Sequence, residues 1–276
     1  MRITPIVSII LPTHNGAAFI RRAIESVRAQ TCKEWELLVI NDGSTDATGS
    51  LVTEVASIEP RIKILRFEKN KGIQKALNEG MLQARGEYIA RIDDDDVWSD
   101  NRKLEKQLAF MSANPACLLV GTGVIVQDEK GVELYRFRNP LTDSAIRCRL
   151  LFKNCFSHST VLFRRAAAMR FHGYDESEAA LHVEDYDLWL KLGTIGQLSN
   201  LPDYAVRFTQ RKQAISGRHK GIQLAKQRLV TARFAAAYPG ARLAHLASVA
   251  RSLGYRAFSL LPSSIQQRLL AAYKRL

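Results

Sequence analysis

The sequence predicts an α/β fold in which a mostly parallel sheet is flanked by helices. Short β-branched runs alternate with helical segments through short connections, which is typical of parallel βαβ units. Polar residues follow the first, second and fourth of these runs, as expected where parallel strands end at one edge of a sheet. With 276 residues, 46% of them apolar, the chain is long enough to bury a large core.

Four strands and three helices are predicted in the first part of the chain. The apolar runs at 7–11, 35–40, 62–67 and 88–92 have the β-branched composition of buried strands. Between them, apolar residues recur at helical spacing over 17–30, 45–58 and 73–84. No GxGxxG sequence follows the first strand, so the usual fingerprint of dinucleotide-binding folds is missing.

The pattern changes after about Pro115. Two strand-like runs at 118–127 and 132–137 surround a turn-forming tetrapeptide, which favours a β-hairpin. A helix is predicted at about 142–152 and a strand at 160–163. A further helix begins near Val183 and carries acidic residues in its first turn.

A run of four aspartates, Asp93 to Asp96, directly follows the fourth strand. A solvated surface turn is one interpretation, because adjacent carboxylates repel one another and aspartate has a poor helix propensity. The apolar flanks, Ile92 before the run and Val97-Trp98 after it, argue against that interpretation. Mg²⁺ in proteins typically takes one or two carboxylates together with phosphate oxygens of a substrate. We therefore favour a site for a metal ion and a phosphate group at this strand end.

Glu184 and Asp185 allow two interpretations. Acidic side chains in the first turn of a helix are stabilised by the helix dipole, so both residues would be explained by helix formation alone. A carboxylate at the edge of a site is equally suited to act as a general base. The residue pattern by itself leaves the two interpretations balanced.

The net charge of +13 is concentrated in one region of the chain. No Asp or Glu follows Asp203, and residues 204–276 hold 14 of the 40 Lys and Arg, which leaves 26 basic and 27 acidic side chains in residues 1–203. We interpret 207–276 as a basic amphipathic helical tail that either packs on the body or attaches to an anionic membrane surface. A nucleic-acid-binding protein is the alternative from another class, but the aromatic residues of the tail are better explained by helix packing, so no nucleic acid is expected as a partner.

Cysteine usage and hydropathy indicate a cytoplasmic location. The four cysteines are scattered without a CxxC pair, as is typical of reduced thiols. No stretch approaches the roughly 20 apolar residues of a membrane span, and the apolar run that ends at Pro12 is too short for the core of a signal peptide. We expect a cytoplasmic protein, located at the inner face of the cell membrane if the tail attaches there.

With these residues in view, residues 5–210 resemble the GT-A family 2 glycosyltransferases, a group of inverting, nucleotide-sugar-dependent enzymes. Four motifs occur in the family's order. They are the first strand with its loop (7–15), the segment from Val39 to Asp46, the N-x-G and A-x-N sequences after the third strand, and the aspartate run. The resemblance implies a GT-A catalytic domain at 1–206, divided into a nucleotide-sugar-binding half at 1–114 and an acceptor-binding half at 115–206. It implies contacts with the nucleotide sugar for Pro12, Thr13, Asn15, Asp42, Gly72, Asn78, Asp93 and Asp94.

The same resemblance assigns the remaining functional residues. Asp95 corresponds to the metal ligand of the family's DxD motif, for Mn²⁺ or Mg²⁺, and Asp185 to the catalytic base of its ED motif. His158, Tyr174 and Glu184 are expected on the acceptor side. Many members carry a histidine where this chain has Thr209, so either Thr209, a water molecule or the later His219 would take its place.

The resemblance thus implies an inverting transferase that moves a sugar from a nucleotide-diphosphate sugar, with a UDP-sugar favoured, to an acceptor hydroxyl. The acceptor would be a glycan or a lipid-linked glycan of a bacterial surface polysaccharide or lipopolysaccharide. A sugar-phosphate nucleotidyltransferase is the alternative among enzymes. Those proteins typically open with a glycine-rich phosphate loop, whereas the first loop here reads Pro12-Thr13-His14-Asn15-Gly16.

Overall fold

The computed structural model describes residues 4–210 and 220–259. Within these ranges, nine strands form one mixed sheet. The strands are β1 (Val7–Thr13), β2 (Trp35–Asp42), β3 (Ile62–Phe67), β4 (Tyr88–Arg91), β5 (Val97–Trp98), β6 (Cys117–Gln127), β7 (Glu133–Phe137), β8 (Leu162–Arg164) and β9 (Gln197–Thr209). The helices are α1 (Ile20–Arg28), α2 (Thr48–Ile58), α3 (Ile73–Gln83), α4 (Lys103–Ala113), α5 (Asp143–Leu150), α6 (Arg165–Met169), α7 (Glu184–Ile195), α8 (Lys220–Arg233) and α9 (Ala241–Ser259).

The order of strands in the sheet is β3-β2-β1-β4-β8-β6-β9-β5, and β7 pairs with β6. The first four strands are parallel to one another, which confirms the βαβ arrangement expected from the sequence. Beyond β4 the sheet is mixed, because β8 runs antiparallel to both β4 and β6. The carboxyl ends of β1, β2 and β4 consequently meet at one edge, and the polar loops that follow these strands lie together.

Alternating residues of the parallel strands fill two separate cores, one on each face of the sheet. Ile10 and Ile40 pack with Leu77 and Met81 of α3 on one face. Ile9 and other residues of opposite orientation pack with α1 and α2 on the other face. This alternation follows from the two-residue period of a strand and explains why these strands are largely apolar on both faces.

The strand β9 was not expected from the sequence. Pro202 and Asp203 interrupt its pattern, and both residue types are depleted in strands. Nevertheless β9 pairs in parallel with β6 and antiparallel with β5. The expected division between body and tail at 206/207 falls within this strand, so that division stays a proposal.

The described part of the tail packs on the body through a few apolar residues. Val230, Tyr238 and Ala244 are buried in the same core as α7. The Tyr238 hydroxyl donates a 2.6 Å hydrogen bond to the Leu190 carbonyl, and Gly193 leaves room for the ring, since a Cβ there would lie 2.1 Å from that hydroxyl. No helix within 4–210 and 220–259 combines the length and the apolar content needed to cross a bilayer.

Candidate active site

The loop from Ile92 to Asp96 leaves β4 and places each aspartate in a different environment. Asp94 is half-buried, and its Oδ2 accepts a 2.6 Å hydrogen bond from the Thr13 hydroxyl at the end of β1. Gly16 lies against this pair, because a Cβ at that position would come within 2.1 Å of Asp94 Oδ2. The first and fourth strands are thus joined at the edge where the sequence predicts the site.

Asp93 forms an ion pair with Arg91, which is 3% exposed. Its backbone N–H donates to Ser159 Oγ at 3.0 Å, and the same hydroxyl lies 3.2 Å from Asp93 Oδ2. The negative charge of Asp93 raises the pKa of Arg91 despite the burial that opposes it. Arg91 therefore keeps its positive charge beneath the aspartate run.

Thr209 lies against the last two aspartates. Its hydroxyl donates a 2.9 Å hydrogen bond to the Asp95 carbonyl, and its backbone N–H lies 3.4 Å from Asp96 Oδ1. Asp96 is buried, and burial together with the charges of Asp93 and Asp95 raises its pKa well above the usual value. The residue at the family's late histidine position thus contacts the aspartate run, whereas His219 lies outside the described residues.

The aspartate run fits a metal ion that is shared with a substrate better than one held by protein alone. In the described ranges 4–210 and 220–259, no group of three or more His, Cys, Asp or Glu side chains is arranged to hold a metal ion. Mg²⁺ and related ions are commonly bound by one or two carboxylates, with phosphate oxygens and water completing the shell. Asp95, half-buried at the strand edge, is a suitable donor of this kind.

The loops after β1 and β2 are fastened to each other around Asp42. Its two carboxylate oxygens accept hydrogen bonds from the backbone N–H groups of Lys71, at 2.6 Å, and Gly72, at 2.9 Å. His14 Nδ1 lies 2.7 Å from the Asp42 carbonyl. Asn15, at a φ of 56°, accepts from the Thr45 N–H at 2.9 Å. Asp42 therefore holds the start of α3. Its contact with the nucleotide sugar stays a prediction, as does that of Pro12, which is buried in β1.

Asn78 connects α3 to the turn that contains Tyr174. Its Oδ1 accepts from the Tyr174 N–H at 2.8 Å, and its Nδ2 donates to the Tyr174 carbonyl at 2.9 Å. Gln74, one turn earlier, donates to the Asp175 carbonyl at 2.6 Å. The structure thus places Asn78 between the two expected halves, and its role toward the donor sugar stays a prediction.

Asp185 lies in the first turn of α7 and is held by two donors. Its Oδ2 accepts from Asn154 Nδ2 at 2.9 Å, and its Oδ1 accepts from the Tyr186 N–H at 2.7 Å. The cap residue of α7 is Val183, which makes no side-chain capping bond. Burial raises the pKa of Asp185, the two donors and Arg91 lower it, and the charge of Asp93 adds to the rise. Asp185 is therefore within electrostatic reach of the aspartate run.

Glu184 is buried, and its Oε2 has no hydrogen-bond partner among the described residues. Burial and the neighbouring charge of Asp185 raise the pKa of Glu184 to about 7. A neutral Glu184 carboxyl can donate a hydrogen bond to an acceptor, whereas Asp185 with its two donors is the better candidate for the ionised base.

His158 and Tyr174 form one wall of the site. His158 Nε2 lies 2.9 Å from the Tyr174 hydroxyl, and the ring packs edge-on against Trp189 with centroids 5.8 Å apart. Burial and the charge of Arg91 lower the pKa of His158 well below the usual value. His158 is therefore neutral at physiological pH and acts here as a hydrogen-bonding and packing group.

Three residues of the site have no role in the sequence-based assignment: Arg91, Ser159 and Asn154. Arg91 could have been noticed in the sequence, since it is the single cation inside the apolar run 88–92. Ser159 could not, because an isolated serine is common in loops. It is nevertheless central, since Trp98 Nε1 donates to its carbonyl at 2.9 Å and its hydroxyl contacts Asp93.

Comparison with known proteins decides the family. The sequence model described as "Glycosyl transferase family 2" matches residues 8–176, which is more than half of the chain. The chain belongs to this family. Membership favours sugar transfer over the nucleotidyltransferase alternative, and it confirms the resemblance drawn from the motifs.

Several curated bacterial proteins are similar to this chain. "Putative glycosyltransferase EpsE" of Bacillus subtilis is 36% identical over 188 residues, which cover 68% of this chain and 66% of EpsE, so the chain spans about two thirds of that relative. An "Uncharacterized glycosyltransferase" of Haemophilus influenzae is 32% identical over 263 residues, 93% of this chain and 94% of the relative. The Escherichia coli "UDP-Glc:alpha-D-GlcNAc-diphosphoundecaprenol beta-1,3-glucosyltransferase WfgD" is 36% identical over 188 residues, 68% of this chain and 69% of WfgD.

Solved structures confirm the GT-A fold. S. aureus TarS 1-349, in complex with UDP-GlcNAc, matches with a TM-score of 0.64 at 21% identity and covers 83% of this chain and 71% of that one. The mannosyltransferase PcManGT from Pyrobaculum calidifontis, in complex with GDP-Man and Mn²⁺, matches with a TM-score of 0.66 at 18% identity, covering 99% of this chain and 81% of that one. At these identities the likeness concerns the fold alone.

Proposed function

We propose that this family 2 glycosyltransferase is an inverting, metal-dependent enzyme that transfers a sugar from a nucleotide-diphosphate sugar, with a UDP-sugar favoured, to a hydroxyl of a glycan or lipid-linked glycan. The observation that carries the proposal is that Asp185, in the first turn of α7, lies within electrostatic reach of the aspartate run that follows β4. Asp185 has two fixed donors, and its pKa responds to the charge of Asp93. A base and a phosphate-binding edge are therefore close to each other.

The roles of the residues follow from this geometry. Asp95, with Asp93 and Asp94 beside it, would hold Mn²⁺ or Mg²⁺ with the two phosphates of the donor. When bound, such an ion offsets the charge that develops on the leaving diphosphate. Thr13 fixes Asp94, and Arg91 fixes Asp93, so the carboxylates keep their places while the diphosphate enters and leaves.

Asp185 would remove the proton of the acceptor hydroxyl as that hydroxyl attacks the anomeric carbon. Asn154 and the Tyr186 N–H stabilise the ionised form of Asp185 and hold it in one orientation. A base opposite the leaving group gives inversion at the anomeric carbon. Glu184, Tyr174 and His158 would shape the acceptor side.

The proposed setting is the synthesis of a bacterial surface polysaccharide or lipopolysaccharide at the cytoplasmic face of the membrane. The name of WfgD specifies a diphosphoundecaprenol-linked acceptor, and that acceptor class is carried over here as a proposal. Residues 204–276 hold 14 basic and no acidic side chains, and anionic lipids attract basic segments by about 1 kcal/mol for each nearby Lys or Arg. Reversible attachment to an anionic surface follows from this charge.

The proposal is tested by product analysis. The protein is incubated with a panel of UDP- and GDP-sugars, Mn²⁺ and a short-chain diphosphate-linked GlcNAc acceptor, and the anomeric proton of the product is examined by NMR. We expect a product whose anomeric configuration is opposite to that of the donor, and no product in EDTA. Retention of configuration, or full turnover without a divalent ion, would refute the proposed mechanism.

A further inference from the structure

A groove lies between the two tail helices and the body. It has a volume of about 460 Å³, which is within the roughly 300–1,000 Å³ of typical small-molecule sites. Its floor is the buried Leu151, and its walls include Ala232 of α8 together with Ala241 and Leu246 of α9. The lining is mostly apolar, as expected of a site for an aliphatic group.

The groove also carries positive charge. Arg228 of α8 and Arg242 of α9 line it, with His245 beside them. Within the described ranges 4–210 and 220–259, neither arginine forms an ion pair with a carboxylate. The tail itself cannot supply a neutralising side chain, since no Asp or Glu follows Asp203. An anionic group that binds here would therefore meet two guanidinium groups without a competing acid.

The groove adjoins helix α7, whose first turn carries the expected base. A smaller cavity shares Leu151 and Arg228 with it and is also lined by Tyr186, the residue after Asp185. The helix α8 is fastened to the acceptor side, because Lys226 pairs with Glu178 at 2.7 Å and Gln223 donates to the His182 carbonyl at 3.0 Å. A ligand in the groove would thus lie beside α7 and α8.

We propose that this groove binds the lipid phosphate of the acceptor, an isoprenoid phosphate or diphosphate whose chain lies on the alanine-lined wall and whose phosphate pairs with Arg228 and Arg242. An apolar wall beside two guanidinium groups that form no ion pair with the described residues matches one amphiphile with an anionic head. A flat bilayer surface would need no concave site. This inference rests on the lipid-linked acceptor of the proposed function and adds the place where that lipid binds.

Direct binding of farnesyl phosphate to the full-length protein tests the site without any donor sugar. Farnesol tests binding of the isoprenoid part alone, and inorganic phosphate tests binding of the phosphate alone. We expect both to bind at least about tenfold more weakly than farnesyl phosphate does. The Ala232→Trp variant fills the groove and is expected to weaken farnesyl phosphate binding at least about tenfold. Its matched control is Ala225→Trp, which adds the same side chain at an exposed position of α8 outside the groove and should bind like the wild type.

A second variant tests the charges without adding bulk. Arg228→Gln combined with Arg242→Gln should weaken farnesyl phosphate binding by a similar factor and leave farnesol binding unchanged. Equal affinities of the Ala232→Trp and Ala225→Trp variants for farnesyl phosphate would overturn the proposal, as would unchanged affinity in the double glutamine variant. A dimer of the wild type that Ala232→Trp dissociates would assign the groove to a second copy of the chain instead. Adsorption to anionic vesicles without farnesyl phosphate binding would assign the charges to the bilayer and also overturn the site.

The proposed function and the lipid-phosphate site can be refuted independently of each other. If farnesyl phosphate binds in the groove but no donor sugar is transferred to any acceptor, the lipid-phosphate site stands and the proposed function fails. If transfer to the diphosphate-linked acceptor proceeds with an unchanged KM in the Ala232→Trp variant, the proposed function stands and the groove is not the acceptor site.

Discussion

Replacing Asp185 by asparagine separates a base from a structural carboxylate. Asparagine retains the size of the side chain and an oxygen that can accept from the Tyr186 N–H, but it cannot take up a proton. Its amide nitrogen would face Asn154 Nδ2, which donates to Asp185 in the wild type at 2.9 Å. Asn154 cannot reverse its amide without loss, because its own Oδ1 accepts from the Phe156 N–H at 3.0 Å.

The magnitude follows from these contacts. Two opposed amide donors leave one buried N–H group without a partner, at a cost of about 1–3 kcal/mol. Burial disfavours the ionised carboxylate of Asp185, as its raised pKa indicates. Replacement by a neutral amide removes this unfavourable contribution and offsets part of the cost. We therefore expect a free energy of unfolding lower by at most about 2 kcal/mol, with the fold intact. Loss of a general base is expected to lower kcat by about 10²–10⁴-fold.

The exchange variant Asn154→Asp with Asp185→Asn is the control. The amide at 185 then donates to the carboxylate at 154, and the carboxylate still accepts from the Phe156 N–H, so the hydrogen-bond network is restored with its direction reversed. Thermal unfolding and steady-state kinetics are measured for the single and the exchange variants. We expect recovered stability and no recovered turnover in the exchange variant. Turnover that returns together with stability would refute the role of Asp185 as the base.

Three further predictions concern the neighbours of the two carboxylate groups. In Asn154→Ala, loss of the donor to Asp185 raises the pKa of that carboxyl, so the acid limb of the profile of kcat/KM against pH should move to higher pH, and an unmoved limb would contradict the contact. Because the pKa of Asp96 is raised in the folded protein, the unfolded chain loses this proton at a lower pH than the folded protein does. The free energy of unfolding therefore falls by about 1.4 kcal/mol for each pH unit between the unfolded and folded pKa values. Asp96→Asn should therefore stabilise the metal-free protein at pH 8 and progressively less toward acid pH, whereas a pH-independent change would contradict the argument. Thr209→Val removes the hydroxyl that contacts the Asp95 carbonyl and should weaken metal-dependent nucleotide binding. The control Thr122→Val removes a buried hydroxyl in β6 away from the aspartates and should leave nucleotide binding unchanged. Equal effects of the two variants would show that the contact is irrelevant to binding.

The parallel half of the sheet could be predicted because three of its four strands, β1, β2 and β4, are buried on both faces. Each of these strands is a largely apolar run, and the polar residues after it fall at one edge. The strand β9 could not be found in this way, because Pro202 and Asp203 break its pattern and only pairing with β6 and β5 makes it a strand.

The site was predictable where its chemistry is local in sequence. The motif resemblance added further residues, but not Arg91, Ser159 or Asn154. The aspartate run and the acidic start of α7 are visible as residue types. The contact of Asn78 with Tyr174 spans 96 residues, and that of Asn154 with Asp185 spans 31, so neither follows from periodicity or spacing. Arg91 would read as a surface cation in most strands, and its burial beneath Asp93 is a property of the assembled sheet.

The central claim is that a nucleoside diphosphate binds through a divalent ion at the aspartate run, and calorimetric titration tests it most directly. UDP and GDP are titrated into the protein with Mn²⁺ and with EDTA, for the wild type, Asp95→Asn and the control Asp128→Asn, which makes the same charge change in the hairpin turn after β6. We predict binding of one of the two nucleotides to the wild type and to Asp128→Asn in Mn²⁺, no binding in EDTA, and loss of binding in Asp95→Asn. An Asp95→Asn protein that binds nucleotide with Mn²⁺ as the wild type does would contradict this claim.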